Sequence, residues 1–171
     1  MSDSLITIVA IFLAAILMFV FPLAAISEMN DSEVLALVQT YTTEFVTEIK
    51  LKGKITQDDY NGYIQKLYAT GNSYDVDFEI HRADINPGKK TENQQMGDSV
   101  YYVEYTAQVE AALQDPNLGV YYLREGDFIK VSYVNTNTTV SQMIKKVLYT
   151  VTGDSAYISG SAAGTSAVTG Y

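Results

Sequence analysis

The sequence contains no cysteine and no tryptophan, and only one histidine, His81. Without cysteine there can be no disulfide, no thiolate metal site, no thiol nucleophile and no lipid carried on Cys. A lone histidine without a thiol cannot build the common zinc centres. No G-x-S-x-G marks a serine that could join it in a catalytic triad. Glycine-rich phosphate loops are also missing. Cations are few: 11 Lys and Arg stand against 20 Asp and Glu, the net charge is -9 and the pI is about 4.4. This balance argues against nucleic acid and against an anionic membrane surface as partner. These gaps assign no cofactor, no metal and no enzymatic activity.

What the sequence does hold is an apolar run, Leu5 to Ile26, with Thr7 as its only polar side chain. At about 1.5 Å per residue the run measures about 33 Å as a helix, enough to cross a hydrocarbon core of roughly 30 Å. It lacks the polar stripe of a soluble helix, and reads as a single transmembrane helix or an uncleaved signal anchor. Two alternatives stand beside this. One is the buried central helix of a soluble domain. The other is a cleaved signal peptide, with Ala25-Ile26-Ser27 as its cleavage site but no cationic n-region before it. Pro22 inside the run predicts a kink near Met18, which a membrane helix tolerates. Ala10 and Ala14, four apart, share one face and offer small surfaces for close helix packing. With Pro22 they are the candidate helix-packing residues.

The first cation is Lys50, so cationic flanks cannot set the orientation. The downstream flank is acidic, with Glu28, Asp31 and Glu33, and is easier to translocate than a basic one. The expected location is therefore the cytoplasmic membrane, crossed once, with the C-terminal domain outside the cell.

The chain divides into an anchor (1–29), an α+β head (30–158) and a flexible Gly/Ser/Ala-rich tail (159–171). In the head, Asn30 to Glu33 reads as a helix start. Val34, Leu37, Val38, Tyr41, Phe45 and Ile49 recur at helical spacing, with Gln39, Thr43, Thr47 and Glu48 opposite and Gly53 as the stop. This amphipathic helix can be continuous with the anchor. Thr56 and Asp59 form a T-x-x-D capping box for a second helix bearing Tyr60, Tyr63, Ile64, Leu67 and Tyr68, ended near Gly71. Tyr74, Val76, Phe78 and Ile80 alternate with Asp75, Asp77, Glu79 and His81, the period of a strand. A loop follows from Ala83 to Gly97, with Pro87-Gly88 as its turn. The segment 103–114 reads as a helix.

Val120–Leu123 and Phe128–Val134, separated by Arg124-Glu125-Gly126-Asp127, carry a β-hairpin signature. Thr138 or Thr139 then caps a short helix with Val140, Met143, Ile144, Val147 and Leu148 on its apolar side, and a last strand is expected near 149–158. The 14 tyrosines fit exposed β surface. Two arrangements on the first strand are candidates for chemistry. His81 lies among Asp77, Glu79 and Arg82. Asp75, Asp77 and Glu79 project from one face about 7 Å apart, a spacing calcium could bridge. No EF-hand loop accompanies them.

Three stretches carry a resemblance. They are Gly53-Lys54-Ile55-Thr56 with Asp59-Tyr60, then Leu67-Tyr68-Ala69-Thr70-Gly71-Asn72-Ser73-Tyr74-Asp75-Val76, then Gly126-Asp127-Phe128-Ile129-Lys130-Val131 with Asn135-Thr136-Asn137-Thr138-Thr139. Following an apolar N-terminal helix, they resemble the small TadE-like, pilin-like proteins of tight-adherence (Tad) pilus systems in Gram-positive bacteria. The resemblance implies a pilin-like or pseudopilin-like α+β fold, with a transmembrane helix continuing into an amphipathic one and a small antiparallel-sheet head. It implies a membrane-anchored structural or accessory subunit of a pilus or pseudopilus, without catalytic activity. The implied partners are the membrane, other pilin-like subunits or the assembly platform, and a homo-oligomer is also open. The sequence departs from pilins in one respect: no Gly precedes the apolar run and no Glu stands at its fifth position. Either the pilin peptidase does not process it or it starts after such a cut. The alternative function is a membrane-anchored extracytoplasmic ligand-binding or sensing domain built on the Tyr-rich head.

Overall fold

The structure is a computed structural model that describes residues 2–83, 101–148 and 158–170. Its first element, α1 (Ser2–Lys52), joins the apolar run and the amphipathic helix in one unbroken rod. At about 1.5 Å per residue the rod is about 75 Å long. The expected start at Asn30 is not a break, because good helix formers flank Asn30 to Glu33 on both sides. Ser32 turns its hydroxyl back to the Glu28 carbonyl within the helix, at 2.9 Å. The rod stops at Gly53, whose φ of +68° is the left-handed conformation expected of a terminating glycine.

After α1 come β1 (Lys54–Thr56), α2 (Gln57–Tyr68), β2 (Tyr74–Ala83), β3 (Tyr101–Tyr105) and α3 (Thr106–Leu113). Then follow β4 (Val120–Tyr122), β5 (Phe128–Asn135), α4 (Val140–Leu148) and β6 (Ser159–Thr165). The larger sheet has the order β3-β2-β5-β6 and is antiparallel throughout. β1 and β4 form a separate antiparallel pair. The fold is thus α+β: one long helix followed by small antiparallel sheets.

The C-terminal half of α1 lies on one face of the larger sheet. Val38, Phe45, Val46 and Ile49 are buried against Tyr74, Val76, Phe78 and Ile80 of β2 and Ile129, Val131 and Tyr133 of β5. The alternation read in β2 therefore faces the core as expected. Phe45 stacks on Tyr63 of α2 at 4.4 Å and meets Phe78 edge-on at 6.1 Å, geometries that aromatic quadrupoles favour. Thr42, a polar residue inside the apolar stripe, is fully buried. Its hydroxyl shares a 2.9 Å hydrogen bond with Tyr63. Burial pushes the Tyr63 phenol up to about 12. Leu37, placed on the apolar face by spacing, is instead 40% exposed, since the packed stripe follows Val38, Thr42, Phe45 and Ile49. Asn135 ends β5 fully buried, and among the described residues neither atom of its side-chain amide has a hydrogen-bond partner.

Several expectations are corrected. The hairpin between Val120–Leu123 and Phe128–Val134 does not form. Both edges of β5 are taken, by β2 and β6, so β4 pairs with β1. The intervening turn closes locally through Asp127 N–H to the Arg124 carbonyl, 3.1 Å, and passes the chain from one sheet to the other. The helix expected over 103–114 begins only at Thr106. Residues 101–105 pair with β2 instead, their alternating Tyr and Val suiting a strand. The tail expected to be flexible contains β6 and is fixed beyond it. The loop turn at Pro87-Gly88 and the strand expected near 149–158 fall almost wholly outside the described residues.

β6 reads Ser-Gly-Ser-Ala-Ala-Gly-Thr, and its small residues are the reason α1 can approach it. A Cβ on Gly160 would come within 2.5 Å of the Tyr133 hydroxyl and 2.7 Å of Gln39 Oε1. One on Gly164 would press Lys50 at 3.2 Å. Gln39, assigned to the polar face of α1, uses this gap to tie helix to sheet. It accepts from Tyr133 at 3.0 Å and donates to the Ser161 carbonyl at 3.1 Å. Past β6, Ala167 N–H donates to the Lys50 carbonyl at 3.1 Å and Gly170 N–H to Leu123 at 3.1 Å. The C-terminal residues thereby satisfy a carbonyl that the end of α1 would otherwise leave open.

The capping box of α2 is present. Asp59 N–H donates to Thr56 Oγ1 at 3.2 Å, and the Asp59 carboxylate accepts from the Thr56 N–H and hydroxyl. Thr56→Ala is expected to lower stability by about 1 kcal/mol, the usual worth of an N-cap. An unchanged denaturant midpoint would show that the cap contributes nothing.

The same carboxylate predicts an acid limit. Partial burial opposes its charge, but hydrogen bonds from Lys52 and Thr56 hold Asp59 below its ordinary value of 3.8. Bonds from Lys130 and His81 do the same for Glu79, whose ordinary value is 4.5. Both folded values are depressed, so their stabilisation is present above the ordinary values and lost as pH falls through the lower folded ones. The melting midpoint should be level from about pH 7 to about pH 5 and decline below about pH 4. A midpoint still level at about pH 2 would contradict these contacts.

Candidate functional site: the apolar helix and its junction with the head

The N-terminal half of α1 is apolar and uncovered. Its most hydrophobic 18-residue window has a mean hydropathy of 2.9, and none of that window is buried in the protein. Phe12 is 69% exposed and Phe19 70%. A contiguous apolar surface of this size is one that water does not tolerate on a soluble domain. The buried-central-helix alternative therefore does not hold. The helix is long and apolar enough to cross a membrane. Ala10, Ala14 and Pro22 all lie exposed on it, and the helix continues through Pro22. Ala10 and Ala14 share a face by their spacing of four, and among the described residues no part of the head covers that face.

Where the apolar run ends, the head grips the rod. Thr139 Oγ1 donates to Asp31 Oδ2 at 2.8 Å, and Lys145 forms a 2.8 Å ion pair with Glu28. Thr139 also caps α4: Gln142 N–H donates to its hydroxyl at 3.3 Å and Gln142 Oε1 accepts the Thr139 N–H at 3.2 Å. Two of the acidic residues flanking the anchor therefore serve as attachment points for α4. A shallow groove runs along the distal part of α1, lined by Thr40, Thr43, Glu44, Thr47, Glu48 and Leu51 among others. It lies on one helix and has no convergent charged cluster.

The residues singled out for chemistry are placed apart or are occupied. Glu79 bonds Lys130 at 3.0 Å and His81 at 2.8 Å, while Asp75 stands exposed. His81 stacks edge-on with Phe128 at 5.6 Å. Among the described residues no three His, Cys, Asp or Glu side chains cluster as a metal site would require.

A cluster that spacing did not reveal lies at the seam of the two sheets. Arg82 Nε donates to Asp127 at 3.1 Å, its Nη1 to Glu104 at 3.4 Å and its Nη2 to the Tyr122 carbonyl. Its guanidinium lies 5.1 Å from the Tyr121 ring centroid, a cation–π distance. Tyr121 donates its hydroxyl to Glu104. Burial, and then that hydrogen bond, push the Tyr121 phenol well above its ordinary value, so it stays a donor. With every charge paired internally, the cluster locks structure rather than presenting a reactive group. Its members come from β2, β3, β4 and the turn before β5, so nothing local in the sequence relates them.

No family model, curated protein or solved structure matches the chain.

Proposed function

We propose that this protein is a membrane-anchored structural or accessory subunit of a pilus or pseudopilus system of the tight-adherence kind. It would cross the cytoplasmic membrane once with its head outside the cell. The observation that carries the reading is the unbroken α1. One rod presents bare apolar surface over its first half and forms the core of an α+β head with its second. Such a rod transmits position from the membrane to the head without a hinge, which suits a subunit that must be held in register with neighbours. The tight-adherence resemblance of residues 53–56 with 59–60, 67–76, and 126–131 with 135–139 supports the choice of a pilus over a generic tether. The reading assigns no catalysis. Its partners are other apolar helices, from pilin-like subunits, the assembly platform or further copies of the chain.

Lipid is as apolar as leucine, so helices associate in a bilayer only through close packing. Ala10 and Ala14 supply the small surface this needs. Ala14→Leu is expected to leave membrane insertion intact and to reduce several-fold the crosslinked yield of partner pilin or platform protein. Equal yields from wild type and variant, at equal membrane abundance, would rule out packing through this face. They would leave an anchored head, the arrangement expected of a ligand-binding or sensing domain.

A further inference from the structure

One apolar edge of α4, Val140 and Met143, is not buried in the protein, while Ile144 beside it is partly covered. Helical spacing puts Val140 and Met143 on one side and Ser141 and Lys145 on another. Ser141 is buried and Lys145 is paired with Glu28, so that side of α4 faces α1 and the Val140–Met143 edge does not. Val140 is 52% exposed and Met143 50%.

The height at which α4 sits accounts for the exposure of this edge. Its attachments, Glu28 and Asp31, lie within about two turns of Ile26, the last residue of the apolar run. If α1 crosses the bilayer over Leu5–Ile26, α4 lies at the level of the lipid headgroups. Lys146, exposed beside Met143, can reach the polar layer while its stem remains on the apolar edge. From this placement we infer that α4 is a second membrane contact. It is an interfacial amphipathic helix whose Val140 and Met143 side enters the outer headgroup–acyl boundary and fixes the tilt and height of the head. The inference rests on membrane insertion of α1 and not on the pilus assignment. The acidic neighbours Glu28, Asp31 and Glu33 make burial of apolar side chains, not attraction to anionic lipid, the driving term.

The absence of cysteine makes the test direct, because each introduced thiol is the only one in the chain. Full-length Met143→Cys and, separately, Val140→Cys would carry an environment-sensitive fluorophore in phosphatidylcholine nanodiscs. Leu13→Cys, read with a second lipid whose nitroxide sits deep on the acyl chain, reports insertion of α1. Glu125→Cys, in the turn at the far end of the head, reports the aqueous side. A spin-labelled lipid with its nitroxide near the headgroup should quench the 143 and 140 probes at least about twofold more than the 125 probe, with iodide showing the reverse order. Quenching at 13 but not above the 125 level at 140 and 143 would overturn the interfacial contact and leave the anchor intact. Shielding of 140 and 143 from lipid and iodide alike would mean that protein covers them, and would also overturn it. Absence of quenching at 13 would remove the anchor and this inference together.

Discussion

Asp127→Ala is expected to cost the head about 3 kcal/mol, at the lower end of the range for orphaning one partner of a buried ion pair. The Asp127 carboxylate is 3% exposed and Arg82 13%. Removing the carboxylate leaves the guanidinium in the seam with Glu104 at 3.4 Å, the Tyr122 carbonyl and the Tyr102 side chain as partners. Those partners keep the loss from being larger. The Arg124 N–H, which donates to Asp127 at 2.9 Å, also loses its acceptor. Since domains are stable by only about 5–15 kcal/mol, a loss of this size should move the denaturant midpoint clearly. Asp127→Asn retains an acceptor for Arg124 and should lose less. The check is denaturant unfolding of the full chain in micelles, followed by tyrosine circular dichroism in the near ultraviolet. If alanine and asparagine variants both unfold with wild type, the cluster does not hold the two sheets together.

The second large effect is expected from ending the chain after Ile158. The truncation removes β6, which pairs with β5 along its length from Phe128 to Val134. It uncovers the side of α1 that lies against Gly160, Ala162 and Gly164. It also removes the Ala167 bond to the end of α1 and the Ser166–Asp127 and Gly126–Ser166 backbone bonds. Strand pairing, core cover and helix termination are lost together, so the outcome should be a head without a cooperative transition. A cooperative melt close to that of the full chain would show that residues 159–170 are an ornament on an already stable core. Gly160→Val is the milder companion. Its side chain would drive Tyr133 and Gln39 apart and should cost about 1–3 kcal/mol as overpacking.

Residues 159–170 also show where sequence reading reached its limit. Gly, Ser and Ala have little apolar side chain to bury, so this composition resembles a loose tail. Their smallness is what the site requires, because the Tyr133 hydroxyl and the Gln39 side chain of α1 fill the space a Cβ on Gly160 would take. The value of a small residue depends on what stands opposite it, and that is set by tertiary contact. The β4–β5 connection erred for a related reason. Two apolar runs around a turn look like a hairpin in any window, yet hydrogen-bonding edges are finite and β5 had already used both. The Arg82–Asp127 cluster could not be read at all, since it joins positions 45 apart in sequence.

Local physics determined the remainder. An uncharged apolar run longer than a bilayer core needs no partner to be a helix, because every backbone bond closes within the segment. The Thr56–Asp59 cap, the Gly53 stop and the alternation of Tyr74 to Ile80 each depend on residues within a few positions, and each is present. What only the tertiary structure decided is how these pieces meet: which sheet β4 joins, that Gln39 bridges rather than faces water, and that α4 turns Ser141 inward and Met143 outward. Those choices follow from competition for edges and space among residues far apart in the chain, which no local pattern encodes.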